Sequence, residues 1–165
     1  MVSHILLAGD CDPTISVGGI LPAIGGNIRV GNSETFVTEA CEYTNSFLSF
    51  FPKISIILNM DADHLDFFKD IDDIRHSFRR FAELLPADGT LIINADTPKY
   101  EDIIRDLPCN VITYGLEHDA DYQAADITYD KYGHASFSVL RNGVKVGSYL
   151  SLIHISEPTR RTPIS

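Results

Sequence analysis

Residues 53–94, KISIILNMDADHLDFFKDIDDIRHSFRRFAELLPADGTLIIN, contain two short apolar runs separated by a long amphipathic segment. The runs KISIILN (53–59) and GTLIIN (89–94) show almost no polar alternation, which is typical of strands buried on both faces of a parallel sheet. Between them, apolar residues recur at helical spacing. A strand, a helix and a second strand in this order predict an α/β fold with a parallel sheet.

The helix between these strands is predicted over residues 70–85, with Asp70 as its N-cap and Pro86 just past its end. Its charged residues lie off a single apolar stripe, which consists of Ile71, Ile74, Phe78, Phe81, Ala82 and Leu85. We expect the helix to pack on the sheet through the face that carries Ile71, Phe78 and Phe81.

The same alternation of apolar runs and helical patterns extends toward both ends of the chain. A second helix is predicted over 97–107, with Thr97 as its cap and Pro98 at its first position. The fold class is therefore α/β, with a mostly parallel sheet flanked by helices. The parallel strands of this sheet are predicted at 35–39, 54–59, 90–93 and 111–114.

Two other segments predict structure outside the parallel sheet. The Gly-rich residues 18–34 predict a loop or a β-ribbon. From about 121 to 151, polar and apolar residues alternate around Asn142-Gly143, which favours a type I′ turn. This segment is predicted to be a small antiparallel β appendage to the sheet.

The two ends of the chain are unusual. Residues 1–9 read as a helix without an N-terminal cap, so we expect that a longer protein continues upstream. Residues 152–165, LIHISEPTRRTPIS, resemble translated sequencing-adapter sequence, the alternative being a natural flexible tail. The predicted organisation is thus one partial domain over 1–151 and a tail over 152–165.

Composition limits the class of function. The formal net charge of −10 argues against nucleic acid and anionic membrane as partners, and an anionic substrate would need metal ions or local basic groups. The cysteines Cys11, Cys41 and Cys109 are odd in number and widely spaced, which favours a reducing cytoplasm. No apolar run reaches the length needed for membrane insertion.

Acidic and imidazole side chains follow two of the predicted strands. One strand ends at Glu39, and another ends at Asn59 and is followed by Asp61, Asp63 and His64. If the strands are neighbours, Glu39 and His64 meet at one edge of the sheet and form part of a ligand set for a hard divalent cation. The alternatives are a strand-end cap or ion pair for Glu39, and an ordinary loop histidine for His64.

Three motifs in the chain resemble the Mur ligases, the ATP-dependent amide-forming enzymes of peptidoglycan synthesis. NMDADHLD (59–66) is similar to their N-[IM]-x-x-D-H-[LM]-D signature. DPTISVGGILPAIGGNIRVG (12–31) and FVTEACEYTNSFL (36–48) resemble the same central, P-loop-like domain, in the same order along the chain. The resemblance covers about residues 1–150 and implies that domain's fold.

The resemblance also implies a mechanism and residue roles. ATP, the co-substrate, would phosphorylate the substrate carboxylate, and an amine would then attack the acyl phosphate. Glu39 and His64 would be Mg²⁺ ligands, Asn59 would lie at the nucleotide and metal edge, and Ser46 would lie on the substrate side.

One position helps to choose a branch of the family. Relatives that add the second and later residues carry, on the helix after the D-H motif, a carbamylated lysine that helps to hold a metal. Phe78 stands at that place here, which favours the branch that joins L-alanine to UDP-N-acetylmuramate. A branch that recycles murein tripeptide remains an alternative.

The family's phosphate loop is of the G-K-T type, and the chain contains neither GKT nor GKS. We therefore expect a fragment of a ligase that is inactive by itself, because the loop's lysine and backbone amides cradle the phosphates. The other hypothesis is a stand-alone, non-catalytic module that binds a nucleotide, a metal or another protein.

Overall fold

The computed structural model describes residues 1–151, and the predicted tail at 152–165 lies outside the described residues. The chain divides into two compact units, the first over Met1–Phe47 and the second beginning at Leu48. Within residues 1–151, no helix combines the length and the apolar character needed to cross a bilayer.

The first unit contains a three-stranded sheet in the order β2-β1-β3. Strands β1 and β2 pair antiparallel, which confirms the β-ribbon predicted for the Gly-rich segment. A short 3-10 turn joins β1 to β2. A second 3-10 segment, kinked at Thr44 and Asn45, continues past the end of the unit. The elements are α1 (Val2–Ala8), β1 (Thr14–Leu21), the turn Pro22–Ile24, β2 (Gly26–Arg29), β3 (Phe36–Thr38) and the 3-10 segment Tyr43–Ser49.

The prediction that strand 35–39 belongs to the large parallel sheet is wrong. Strand β3 pairs in parallel with β1, from Thr14↔Phe36 to Ser16↔Thr38. The Glu39 amide continues the ladder by donating to the Ser16 carbonyl at 3.0 Å. An apolar run predicts that a strand exists, but its partner depends on contacts distant in sequence, which the run does not encode.

The D-P-T motif at the start of β1 has a structural role. The Asp12 carboxylate accepts hydrogen bonds from the Arg29 guanidinium and, at 2.9 Å each, from the backbone and side-chain amides of Asn32. The Arg29 bond, followed by the Asn32 bonds, lowers the pKa of Asp12 from 3.8 to about 2. A Cβ at Gly31 would lie 2.1 Å from the Asp12 carbonyl oxygen, so this turn requires glycine.

The second unit contains a six-stranded sheet in the order β4-β5-β6-β7-β8-β9. Neighbouring strands from β4 to β7 pair in parallel, and those from β7 to β9 pair antiparallel. The predicted antiparallel appendage is therefore part of the same six-stranded sheet. The elements are β4 (Ile54–Ile57), α2 (Ile71–Ala82), β5 (Thr90–Asn94), α3 (Glu101–Ile104), β6 (Asn110–Gly115), β7 (Tyr122–Tyr129), β8 (Ala135–Arg141) and β9 (Val144–Ser151). The predicted fold class is confirmed.

Helix α2 forms as its sequence predicts. The Asp70 side chain caps it by accepting from the Asp73 amide at 2.9 Å. Acidic residues in its first turn and basic residues in its last turn complement the helix dipole. Ala82 and Leu85 lie in the hydrophobic core and Phe78 packs against it half-buried, so that position supports the core.

Within residues 1–151, the hydrophobic core packs against one face of the parallel sheet, so the expectation that β4 is buried on both faces is wrong. Residues at alternate strand positions, among them Ile57 and Leu91, pack with residues of α2 and α3. On the other face of edge strand β4, Ile54 is 63% exposed and Ile56 is 42% exposed. Both described helices of this unit lie against one face, and the apolar runs did not reveal which face that is.

The predicted turn at Asn142-Gly143 and the predicted helix start at Thr97 had different outcomes. Asn142 and Gly143 have φ values of 49° and 76°, as a type I′ turn requires, and they join β8 to β9 as predicted. The helix predicted to start at Thr97 instead begins at Glu101, because Lys99 takes the left-handed conformation with φ 59° and interrupts the helical path.

Candidate functional site

Glu39 follows strand β3 and is held by the first unit at both its main chain and its side chain. Its exposed carboxylate accepts a hydrogen bond from the Gly18 amide to Oε2, at 2.7 Å. The distance lies at the short end of the range for N–H···O hydrogen bonds. A carboxylate that is exposed and fixed in this way is a suitable oxygen ligand for a hard cation.

His64 lies in the turn that follows β4, in the second unit. Its backbone takes the left-handed conformation with φ 55°, and its amide donates to Asp63 Oδ1 at 2.8 Å. Its carbonyl accepts from the amides of Phe67 and Phe68, each at 2.9 Å, and Phe68 is buried. The turn thus holds His64, half-buried, at the carboxyl end of a parallel strand.

The other two predicted site residues are exposed. Asn59 lies two residues beyond the end of β4. Ser46 lies in the 3-10 segment, where its hydroxyl donates to the Tyr43 carbonyl at 2.8 Å and lies 3.1 Å from the Thr44 hydroxyl. The Ser46 hydroxyl is therefore engaged in a local turn.

Predicted site residues lie in both units. Glu39 and Ser46 belong to the first, and Asn59 and His64 to the second. Taken one by one, a carboxylate, an imidazole and an amide oxygen are donor types that a divalent cation with water and phosphate ligands accepts. Within residues 1–151, no three His, Cys, Asp or Glu side chains are grouped so as to hold a metal by themselves. Strands β3 and β4 lie in different sheets, so the expectation that Glu39 and His64 meet at one edge of a single sheet is wrong. Their convergence on a metal stays a prediction that rests on the resemblance.

A polar network that the sequence did not predict lies at the carboxyl ends of β4, β5 and β6. Asn94 donates from Nδ2 to the Leu58 carbonyl at 3.1 Å, and the Tyr114 hydroxyl donates to the same carbonyl at 3.3 Å. Asn94 also accepts from the Asp96 amide at 2.9 Å. Three neighbouring strands are thereby tied together at the edge where open α/β sheets bind ligands.

Asp96 organises the turn that follows β6. Its carboxylate accepts from the amides of Leu116, Glu117 and His118 at 2.6, 3.1 and 2.9 Å, and lies 3.0 Å from His118 Nδ1. Burial raises the pKa of Asp96, but these hydrogen bonds outweigh it and lower the pKa from 3.8 to about 2. The sequence signal for this site was the pair of polar residues Asn94 and Asp96 at the end of an apolar strand.

The lowered pKa of Asp96 predicts a specific pH dependence of stability. A carboxyl group whose pKa is lower in the folded state stabilises the protein above pH 4, and this contribution disappears as the pH falls to about 2. We therefore expect Asp96→Asn to lower the melting temperature at pH 6, and the difference from wild type to shrink between pH 4 and pH 2.

The control for this experiment is Asp119→Asn, which removes an exposed carboxylate from the same turn region. Its melting temperature should follow that of the wild type over the whole pH range. A difference between Asp96→Asn and wild type that stays constant from pH 6 to pH 2 would contradict the assigned role of the carboxylate.

Comparison with known proteins places the chain in a family. The sequence model of the Mur ligase middle domain matches residues 21–153. Curated relatives include the UDP-N-acetylmuramate–L-alanine ligases of Lachnospira eligens, 62% identical over 146 residues, and Agathobacter rectalis, 58% identical over 143 residues. The matches cover 88% and 87% of this chain but only 32% and 31% of those relatives. The chain therefore spans about a third of the length of these relatives.

Solved structures agree with the fold. A UDP-N-acetylmuramate:L-alanyl-γ-D-glutamyl-meso-diaminopimelate ligase from Neisseria meningitides has a TM-score of 0.73 and 25% identity, and the match covers 87% of this chain and 48% of that one. A UDP-N-acetylmuramate–alanine ligase from Thermotoga maritima has a TM-score of 0.74 and 22% identity, covering 90% of this chain and 32% of that one. The second likeness shows the fold alone.

The mostly parallel sheet, with helices on one face and polar groups at its carboxyl edge, defines an α/β domain of the kind that binds ligands beyond its strand ends. The match over 21–153 is more specific, and the chain belongs to the Mur ligase middle domain family. The predicted family is confirmed.

Proposed function

We propose that this chain is part of an ATP-dependent ligase that joins L-alanine to UDP-N-acetylmuramate in peptidoglycan synthesis. The observation that carries the proposal is its 62% identity over 146 residues to a ligase of that name. Phe78 supports the same branch. Its side chain packs against the core at the position where relatives that add the second and later residues would carry a lysine. The murein-recycling branch and the stand-alone module receive no comparable support.

In this proposal the substrates are ATP, UDP-N-acetylmuramate and L-alanine, and the cofactor is Mg²⁺. Bound Mg²⁺ would neutralise negative charge on the transferring phosphoryl group. Glu39 would supply a carboxylate oxygen for the ion and His64 an imidazole nitrogen. Asn59, which is exposed beside the end of β4, would lie at the nucleotide and metal edge of the site. Ser46 faces the substrate only if its hydroxyl leaves the bond to the Tyr43 carbonyl.

The test is a chimera in which residues 1–151 replace the aligned segment of the Lachnospira eligens ligase. We expect phosphate release that depends on ATP, UDP-N-acetylmuramate and L-alanine together. Replacing L-alanine by other amino acids should lower the rate, because the proposal assigns the chain to the alanine-adding branch. A folded chimera with no alanine-dependent phosphate release would contradict the proposal.

The matched control is the 165-residue chain alone, which we expect to release no phosphate. The chain contains no G-K-T or G-K-S motif, so it has no phosphate loop of the family's type. Holding reactants in line contributes about 7–11 kcal/mol to such a reaction, and little of this can remain without that loop. Turnover by the chain alone would contradict this prediction.

A further inference from the structure

Two adjacent glycines of strand β1, Gly18 and Gly19, differ in their relation to Glu39. The Gly18 amide donates to Glu39 Oε2 at 2.7 Å. The main chain of Glu39 is bound to the same strand, through the bond from its amide to the Ser16 carbonyl at 3.0 Å. Strand β1 therefore fixes both the backbone and the carboxylate of Glu39.

The Glu39 carboxylate can lie this close to strand β1 because Gly18 has no side chain. A Cβ built there would lie 3.1 Å from Oε2 and 3.7 Å from Cδ of Glu39. A Cβ built at Gly19 would have no atom within 4 Å. Neither glycine has a backbone conformation that an alanine would strain. An added methyl group would therefore meet the Glu39 carboxylate at position 18 but not at position 19. Neither position requires glycine for its backbone conformation.

We propose that Gly18 is a positioning residue for Glu39, holding one carboxylate oxygen in the orientation in which the carboxylate would bind a divalent cation. This inference rests on the proposed role of Glu39 as a metal ligand. Ligating carboxylates are usually hydrogen-bonded in turn, and substituting such a partner weakens metal binding by about 10- to 100-fold. Because Gly18→Ala keeps the amide donor and acts by displacing the carboxylate, we expect the lower end of this range. A fixed carboxylate also loses less rotamer freedom when the ion binds.

The added methyl group of Gly18→Ala meets the end of a flexible side chain rather than backbone. The Glu39 carboxylate can therefore move away by a few tenths of an ångström, and the strand remains intact. The substitution should displace the ligand without unfolding the unit. Gly19→Ala is the matched control, since it adds the same methyl group one residue away.

The experiment uses the isotopically labelled 165-residue chain and MnCl₂ as the paramagnetic probe. In the wild type, we expect Mn²⁺ to broaden the amide signals of Gly18 and Glu39, and Glu39→Gln to abolish this broadening. Gly18→Ala should need about tenfold more Mn²⁺ for the same broadening at residue 39. Gly19→Ala should behave as wild type, and the melting temperatures of the two alanine variants should agree.

Two failures can be told apart. If the wild type and Glu39→Gln broaden equally at residue 39, Glu39 is not a ligand, and both the proposed role and this inference are overturned. If the wild type responds but Gly18→Ala and Gly19→Ala bind Mn²⁺ equally well, only the positioning role of Gly18 is overturned. Loss of Mn²⁺ binding in Gly18→Ala together with a lower melting temperature than Gly19→Ala would show a structural role and would also overturn it.

Discussion

In the chimera, replacing Glu39 or His64 by alanine is expected to lower kcat by at least about 100-fold. A metal ion contributes several kcal/mol of transition-state stabilisation to phosphoryl transfer, and about 1.4 kcal/mol corresponds to a tenfold change in rate. Each substitution removes one proposed ligand while leaving the other. High Mg²⁺ concentration should therefore recover part of the rate.

The matched controls are Glu34→Ala and His76→Ala, which remove exposed side chains of the same types from the same two units. Steady-state phosphate release is measured over a Mg²⁺ titration. Both control variants should release phosphate at rates close to that of the unsubstituted chimera. If Glu39→Ala and His64→Ala also leave the rate unchanged, the assignment of the metal ligands is wrong.

The second large effect concerns the stability of the sheet. Ile56 and Ile57 are adjacent residues of β4, yet Ile56 is 42% exposed and Ile57 only 2%. Ile57→Ala in the 165-residue chain should lower the free energy of unfolding by about 2–4 kcal/mol, through lost burial and the cavity left in the core. Ile56→Ala should lower the free energy of unfolding by less than about 1 kcal/mol, because removing this partly exposed side chain leaves little empty space in the core.

Urea denaturation of the two variants measures this difference directly. The comparison is controlled internally, because both substitutions remove the same atoms from neighbouring positions of one strand. Equal losses for Ile56→Ala and Ile57→Ala would contradict the finding that the core covers a single face of the sheet.

The sequence predicted those elements whose signals are local. Helix α2 was predictable because its apolar stripe, its Asp70 cap and Pro86 after its end all occur within one segment. The β8–β9 hairpin was predictable because Asn142-Gly143 provides the two left-handed residues that its turn requires. In both cases short-range preferences and packing agree.

What the sequence could not predict depends on distant contacts. The sequence of β3 did not reveal that its partner is β1, and the apolar run of β4 did not reveal that only Ser55 and Ile57 face the core. The start of α3 was displaced because Lys99 takes a left-handed conformation that its residue type does not favour.

In the candidate site, too, local signals could be predicted from the sequence and distant contacts could not. Its residue types, Glu39 and His64, could be selected from motifs at the ends of strands. The partner of Glu39 could not, because Gly18 lies 21 residues away in sequence and approaches through a backbone amide that any residue type possesses. Asp96 was missed for a similar reason, since its partners are backbone amides 20 to 22 residues away.

The most direct measurement is anomalous diffraction from crystals of the chimera grown with MnCl₂ and a non-hydrolysable ATP analogue. One anomalous peak should lie between about 2 and 2.5 Å from both a carboxylate oxygen of Glu39 and a ring nitrogen of His64, or two peaks bridged by the nucleotide phosphates should each bind one of them. Mn²⁺ bound to the phosphates with neither Glu39 nor His64 in its coordination shell would contradict the account.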